Sequence, residues 1–214
     1  MLITNANLIT WESDNQILED HALLIENDRI KEIGKSSELK NHYPEIEWLD
    51  ARGQYVMPGN ICAHTHFYSA FARGMAIPGP APKDFPEILQ RLWWPLDRSL
   101  DAESIQYSVL PSLVDAIKHG TTTLIDHHAS PNAIDGSLDI IAKEVEAAGL
   151  RAVLCYEVTD RDGKVKMRAG IRENVRFIKK TQDNPTSLVT GTFGLHASLT
   201  LSDPSLDECR SSAS

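Results

Sequence analysis

Two histidines separated by a single residue, His64 and His66, close the stretch VMPGNICAHTHF at residues 56–67. In an extended strand, residues i and i+2 point to the same side, about 6.6 Å apart, so both imidazoles can converge on one metal ion. Neutral imidazole suits Zn²⁺ first and Fe²⁺ second. An ion held there lowers the pKa of a bound water, which is the start of a hydrolytic reaction near neutral pH. The competing reading of a bare H-x-H is two solvated or hydrogen-bonded histidines. The setting favours the metal, because an apolar run and Pro58-Gly59 lead into the pair.

Such a pair needs an element that fixes it. YVMPGNICAHTH, from Tyr55, reads as a short buried strand. From there the chain alternates strand and helix. Residues 67–86 look loop-like, punctuated by Gly74, Gly79 and four prolines. DAESIQYSVLPSLVDAIKHG is a helix with a cap at its start and Gly120 past its end, and Pro111 is a potential kink. TTTLID, RAVLCYEV and SLVTGTFGLH are further strands, separated by the helices DGSLDIIAKEVEAAG and RAGIRENVRFIKKTQ. Ser202 or Asp203 then caps a fourth helix, with Pro204 at or near its first position. Steady alternation implies parallel strands joined by right-handed crossovers. No glycine-rich phosphate loop follows the first strand, which counts against a nucleotide-binding sheet. The alternative is a (β/α)₈ barrel of the TIM type, whose chemistry sits at the C-terminal ends of its strands. Four strands are half of one, so the chain is expected to be a fragment, with residues 56–214 its N-terminal half-barrel. Residues 1–55 read as short alternating strands with a turn at Asn27-Asp28, part of a small β-sandwich too short to bury a core alone.

Bulk properties narrow the partners. The chain has 214 residues and a net charge of −9. Residues 1–50 hold eleven acidic and four basic side chains, a solvated face rather than a docking site. A basic nucleic-acid footprint is absent. No apolar run approaches the roughly 20 residues of a membrane span, and the N-terminus lacks the features of a signal peptide. Cys62, Cys155 and Cys209 show no metal-like spacing and fit a reducing, cytoplasmic compartment. The expected partner is a small-molecule substrate, with a homo-oligomeric parent left open.

YVMPGNICAHTH resembles the first barrel strand of the amidohydrolase superfamily, whose pattern is an apolar run, Pro-Gly, an apolar step and H-x-H. The resemblance continues through HGTTTLIDHH, AAGLRAVLCYEV and GTFGLHASLTLSD, over essentially the whole chain. It falls in the deaminase and chlorohydrolase branch. Asp126-His127-His128 together with CYEVTDRDG is similar to the SsnA-type aminohydrolases. The resemblance implies that His64 and His66 are the first two metal ligands and that His196 contacts substrate. It also implies two more histidine ligands, an aspartate ligand and a proton-shuttling glutamate, all expected beyond Ser214. SLVTGTFGLH carries no bridging lysine, which favours one divalent metal over two.

Other residues are weaker candidates. Asp126 and His128 share one face of their strand's end and His127 takes the other. A capping role for them outweighs a place in the pocket. Glu157 and Asp160 read as solvated loop acids. Phe85, Trp93 and Trp94 read as packing under the Pro/Gly loop, with a heterocycle pocket as the second possibility, and Cys155 reads as core. The function implied is hydrolysis of non-peptide C–N bonds, led by deamination of an aminated heterocycle. The alternatives are hydrolysis of a cyclic amide or halogenated ring, or a non-catalytic truncation product.

Overall fold

The computed structural model describes residues 1–214 apart from Ser13, Asn15, Pro185, Thr186 and Ser214. Two compact units divide between Gly59 and Asn60.

In the first unit, β1 (Leu2–Ile9), β2 (Ile17–Glu26) and β3 (Arg29–Lys35) form an antiparallel meander. The period-two pattern of β1 is what the pleat demands. Leu2, Thr4, Ala6 and Leu8 are buried and the residues between them half-buried. Asn27 supplies the positive φ, 55°, that the β2–β3 turn requires. A short helix, α1 (Ser36–His42), seats Leu39 against Leu2, Ala22 and Leu24. This helix has no side-chain cap and has no counterpart among the sequence-predicted elements. β4 (Trp48–Asp50) and β5 (Tyr55–Val56) both run parallel to β1. The strand expected over residues 55–66 is therefore two elements. Tyr55-Val56 belongs to this sheet, Pro58 and Gly59 break the chain, and a new strand begins at Asn60.

The second unit is a parallel sheet in the order β6 (Asn60–Thr65), β7 (Thr121–His128), β8 (Arg151–Tyr156), β9 (Val189–Gly191). This sequential order with helical crossovers is that of consecutive barrel strands, and it spans four of them. The apolar run predicts a buried β6. It is instead an edge strand paired with β7 alone among the described residues, and Ile61 is 67% exposed.

Residues 85–98, which overlap the end of the expected loop, are helical. α2 (Phe85–Ile88) starts at Asp84, whose side chain accepts the Glu87 N–H at 2.9 Å. A π-helical segment, Leu89–Trp93, leads into α3 (Trp94–Arg98). The main crossovers are α4 (Ala102–Lys118), α5 (Ser137–Ala147) and α6 (Lys164–Gln182). α4 opens with a reciprocal capping box between Asp101 and Ser104 and runs unbroken through Pro111. Gly149, at φ 70°, lets the chain leave α5 and enter β8 at once. The helices bury Ile105, Val109, Leu138, Ile141 and Phe177 against Leu124, Ala152 and Leu154 of the sheet. α7 (Asp203–Ser212) follows Ser202 as expected, and Ser214, the last residue of that sequence segment, lies outside the described residues. No helix among the described residues is long and apolar enough to cross a membrane.

Candidate functional site

His64 and His66 stand at the C-terminal end of β6, and their Nε2 atoms are 3.1 Å apart. The i, i+2 spacing predicts convergence, and the rings converge. His66 Nδ1 lies 2.7 Å from the His127 carbonyl oxygen. A carbonyl only accepts, so Nδ1 carries the proton and Nε2 presents a lone pair toward His64. Orientation of a metal-binding imidazole by a backbone carbonyl on its other nitrogen is a general device. Two nitrogens on a tetrahedral zinc ion lie about 3.3 Å apart. The observed separation is within a few tenths of an ångström of that, so this pair fits a divalent metal. Among the described residues no third His, Cys, Asp or Glu completes a metal-binding group.

The end of β7 builds the back of the site. The faces alternate as expected, but it is His127 that meets the cavity. Its ring stacks on His64 with centroids 4.4 Å apart and planes 21° from parallel. Cys155 Sγ lies 3.5 Å from His127 Nδ1. Asp126 and His128 are fully buried behind it. Asp126 Oδ1 accepts the Phe67 N–H at 2.7 Å, which caps the 3-10 turn (Phe67–Ala72) directly after His66. Ser130 Oγ donates to the Ala133 carbonyl at 2.8 Å, so it accepts from His128 Nε2 at 2.9 Å. Capping and packing, the favoured reading for this pair, is what the geometry shows.

His196 follows β9. Its N–H donates to the Val158 carbonyl at 3.0 Å, so the backbone fixes its place. Its ring Nδ1 is 2.8 Å from Thr200 Oγ1, and that hydroxyl donates to the Ala197 carbonyl at 2.7 Å. The hydroxyl has one proton, so Nδ1 must be the donor and Nε2 is left as an acceptor. Gly194 permits this path. A Cβ there would come within 2.6 Å of the Tyr156 carbonyl oxygen and 2.7 Å of Cys155 Sγ.

These groups share one cavity of about 410 Å³. Four of the chain's eight histidines line it: His64, His66, His127 and His196. Its aromatic wall is Tyr68, Phe85 and Trp93; Phe85, on α2, lies at the end of the expected loop, and Trp93, on the π-helical segment, lies beyond it. A π-helical turn at a binding site is a recurrent arrangement. Trp94 instead turns away and lies over the Arg161 guanidinium, 5.5 Å from it. A larger cleft of about 570 Å³ between β6 and α4 contains none of these histidines.

The cavity also contains Glu157, and here the expectation of a solvated acid fails. Glu157 is 7% exposed. Burial lifts its carboxyl to about 8, with Asp126 adding to the shift and Arg161 opposing it. Asp160, also expected to be solvated, is half-buried and bonded to Ser202 and Ser205 at the start of α7. Burial lowers His66 and His127 below the usual histidine range; the bond to the His127 carbonyl opposes this at His66, and crowding of the imidazoles against one another adds to it at both. Burial, then Arg161 and His66, bring His196 down to about 4. These three imidazoles are therefore neutral at pH 7, the form that binds metal or accepts a hydrogen bond.

Residues 55–214 match the family model described as the amidohydrolase family, and the chain belongs to that family. It is 32% identical, over all of its length and 46% of the relative's, to the 5-methylthioadenosine/S-adenosylhomocysteine deaminase of Thermococcus sibiricus. Among solved structures it superposes on E. coli guanine deaminase with a TM-score of 0.79 at 18% identity, covering 98% of this chain and 50% of that one. The zinc complex of atrazine chlorohydrolase from Arthrobacter aurescens gives 0.74 at 21% identity, with coverages of 97% and 49%. Identities this low establish the fold, a TIM-type barrel of which this chain forms part. The chain spans about half the length of the curated relatives it matches.

Proposed function

We infer that this chain supplies the metal-binding and substrate-facing half of a hydrolase acting on non-peptide C–N bonds, with deamination of an aminated heterocycle as its reaction. The observation that carries this reading is the convergence of His64 and His66 at the mouth of a parallel sheet, above an aromatic-walled cavity. His64 and His66 would hold one divalent metal, Zn²⁺ first and Fe²⁺ second. When bound, that metal supplies Lewis acidity and lowers the pKa of water. Tyr68, Phe85 and Trp93 offer flat apolar surface to a ring, and His196 offers a neutral acceptor on Nε2. The deaminase names of the relatives and the zinc in the chlorohydrolase structure support the same reading. The further ligands and the proton-shuttling acid would come from segments outside this chain. The first unit would belong to a composite β-sandwich. The three free cysteines fit a reducing, cytoplasmic setting.

The test is metal content. The full-length protein is expected to hold about one zinc or iron per chain by elemental analysis. Replacing both His64 and His66 with Ala is expected to remove the metal and turnover together, because lost ligands are not replaced by water at equal affinity. A double variant with unchanged metal content refutes the assignment.

A further inference from the structure

Glu157 poses a problem that the proposed chemistry does not absorb. Its backbone N–H donates to the His128 carbonyl at 2.8 Å, which ties it to the rim of the sheet. Glu157 lines the cavity, its carboxyl accepts no hydrogen bond among the described residues, and its oxygens are open to the cavity rather than sealed in the core. Buried carboxyls without a partner are rare, because desolvation costs free energy that nothing offsets. The nearby cation does not resolve this. Arg161 Nη2 is bonded to Asp97 at 2.5 Å, and its Nε faces Asp162 at 3.3 Å. Arg161 Nη1 has no hydrogen-bond partner among the described residues, yet it does not bond Glu157, which feels only its charge.

The rest of the cavity limits what the partner can be. Trp93 and Phe85 suit a flat ring, and His196 Nε2 can only accept. A carboxyl is a two-pronged group. It pairs with an N–H that stands beside a ring nitrogen, one oxygen accepting and the other sharing a proton with the nitrogen. That pairing forms whichever partner holds the proton.

We propose that Glu157 is the specificity-determining residue of this pocket, reading an N–H next to a ring nitrogen on an amino-substituted pyrimidine or purine-type ring. The proposal rests on the deaminase reading above and names its substrate edge. Its readout, ring binding, is separate from the metal content that tests the metal assignment.

The test is ring binding to the full-length, metal-loaded protein, read by rapid mixing before the first turnover so that no probe is consumed. The probes are 9-methyladenine and 2-amino-9-methylpurine, each beside its N,N-dimethyl analogue, which keeps the ring and lacks the N–H. Wild type is expected to prefer at least one amino ring over its dimethyl analogue. Glu157→Leu is expected to weaken that ring at least about 30-fold and to leave the dimethyl analogue within about threefold. Glu157→Gln keeps a donor and an acceptor on the same fork and is expected to stay within about fivefold of wild type. The melting temperature of Glu157→Leu is expected to equal or exceed that of wild type, because a strained buried acid has been removed. Unchanged preference in Glu157→Leu overturns the proposal. So does a parallel loss of melting temperature and of all four ligands, which marks a structural acid. A wild type that binds metal but none of the rings overturns the deaminase reading and this inference with it. Loss of metal in the His64/His66 variant with intact ring preference would separate the two assignments.

Discussion

Asn174 is a residue on α6 whose replacement tests the construction of the pocket. It is fully buried. Its Oδ1 accepts the Tyr156 N–H at 2.8 Å, and its Nδ2 donates to the Tyr156 carbonyl at 2.8 Å and to the Gly194 carbonyl at 3.4 Å. The amide thus ties the last residue of β8 to the segment after β9. Glu157 follows the first of these anchors directly, and His196 lies two residues after the second. Asn174→Asp keeps size and shape but replaces the donor by an oxygen that faces two carbonyls. The Tyr156 carbonyl loses its donor, at about 1–3 kcal/mol, and faces an oxygen in its place, whereas the Gly194 carbonyl gives up only the weaker 3.4 Å bond and still accepts the Val158 N–H at 3.3 Å. The expected loss is about 3 kcal/mol in urea unfolding of the full-length protein. Asn174→Ala also strands the Tyr156 N–H and leaves a small void, so it is expected to cost at least as much. At temperatures where both variants remain folded, kcat/KM is expected to fall in both, because the groups flanking the cavity are displaced together. Asn174→Asp within about 0.5 kcal/mol of wild type would refute this reasoning.

Two other substitutions probe the same end of the sheet. His196→Ala is expected to leave metal content near normal and to reduce kcat/KM by about 2–4 kcal/mol, the size of a lost polar contact in the transition state. Metal loss equal to that of a His64 variant would make it a ligand instead. Asp160 provides a pH test. Burial raises its pKa, but bonds from Ser205 and Ser202 and the charge of Lys164 outweigh this and hold it at about 2. A folded-state pKa below the unfolded one gives stability that is present above about pH 4 and lost as pH falls toward about 2. Discounted for partial exposure, the contribution is about 1 kcal/mol. The stability gap between wild type and Asp160→Asn is expected to shrink by about two thirds of that amount between about pH 5 and about pH 2.5 in urea titrations.

The parts legible in sequence are those that local chemistry determines. Alternation in β1, the Asn27 turn, the Asp101 capping box and the Gly149 stop are all short-range rules, and each stands where its residues put it. The H-x-H pair is legible for the same reason, since two residues on one strand need no third element to converge. The α2 helix could have been read from Asp84, Pro86 and Glu87, a cap, a proline in the first turn and an acid three residues after the cap. The glycines and prolines just before it masked that signal. α1 left less to read, because it has no side-chain cap.

The pocket was harder, because strands covered on both sides give no clue to which side meets a cavity. Alternation placed His127 opposite Asp126 and His128, but both faces of β7 carry partly or fully buried residues, so pattern alone could not choose. Glu157 shows the limit most clearly. One residue after β8, its sequence neighbourhood is that of a loop, and exposed acids are the rule in loops. Its burial comes from groups far away in the chain: Tyr68 and Trp93 before it, Leu195 and His196 after it. No window around residue 157 contains them. A buried acid that accepts no hydrogen bond among the described residues breaks the local rule, and such breaks concentrate where function outweighs local consistency. His127 and His196 depart from the local rule in the same way, as imidazoles half-buried at a cavity wall. Cys155 does not: it is buried like them, but its thiol is pushed up to about 12, so it stays protonated and packs beneath the site.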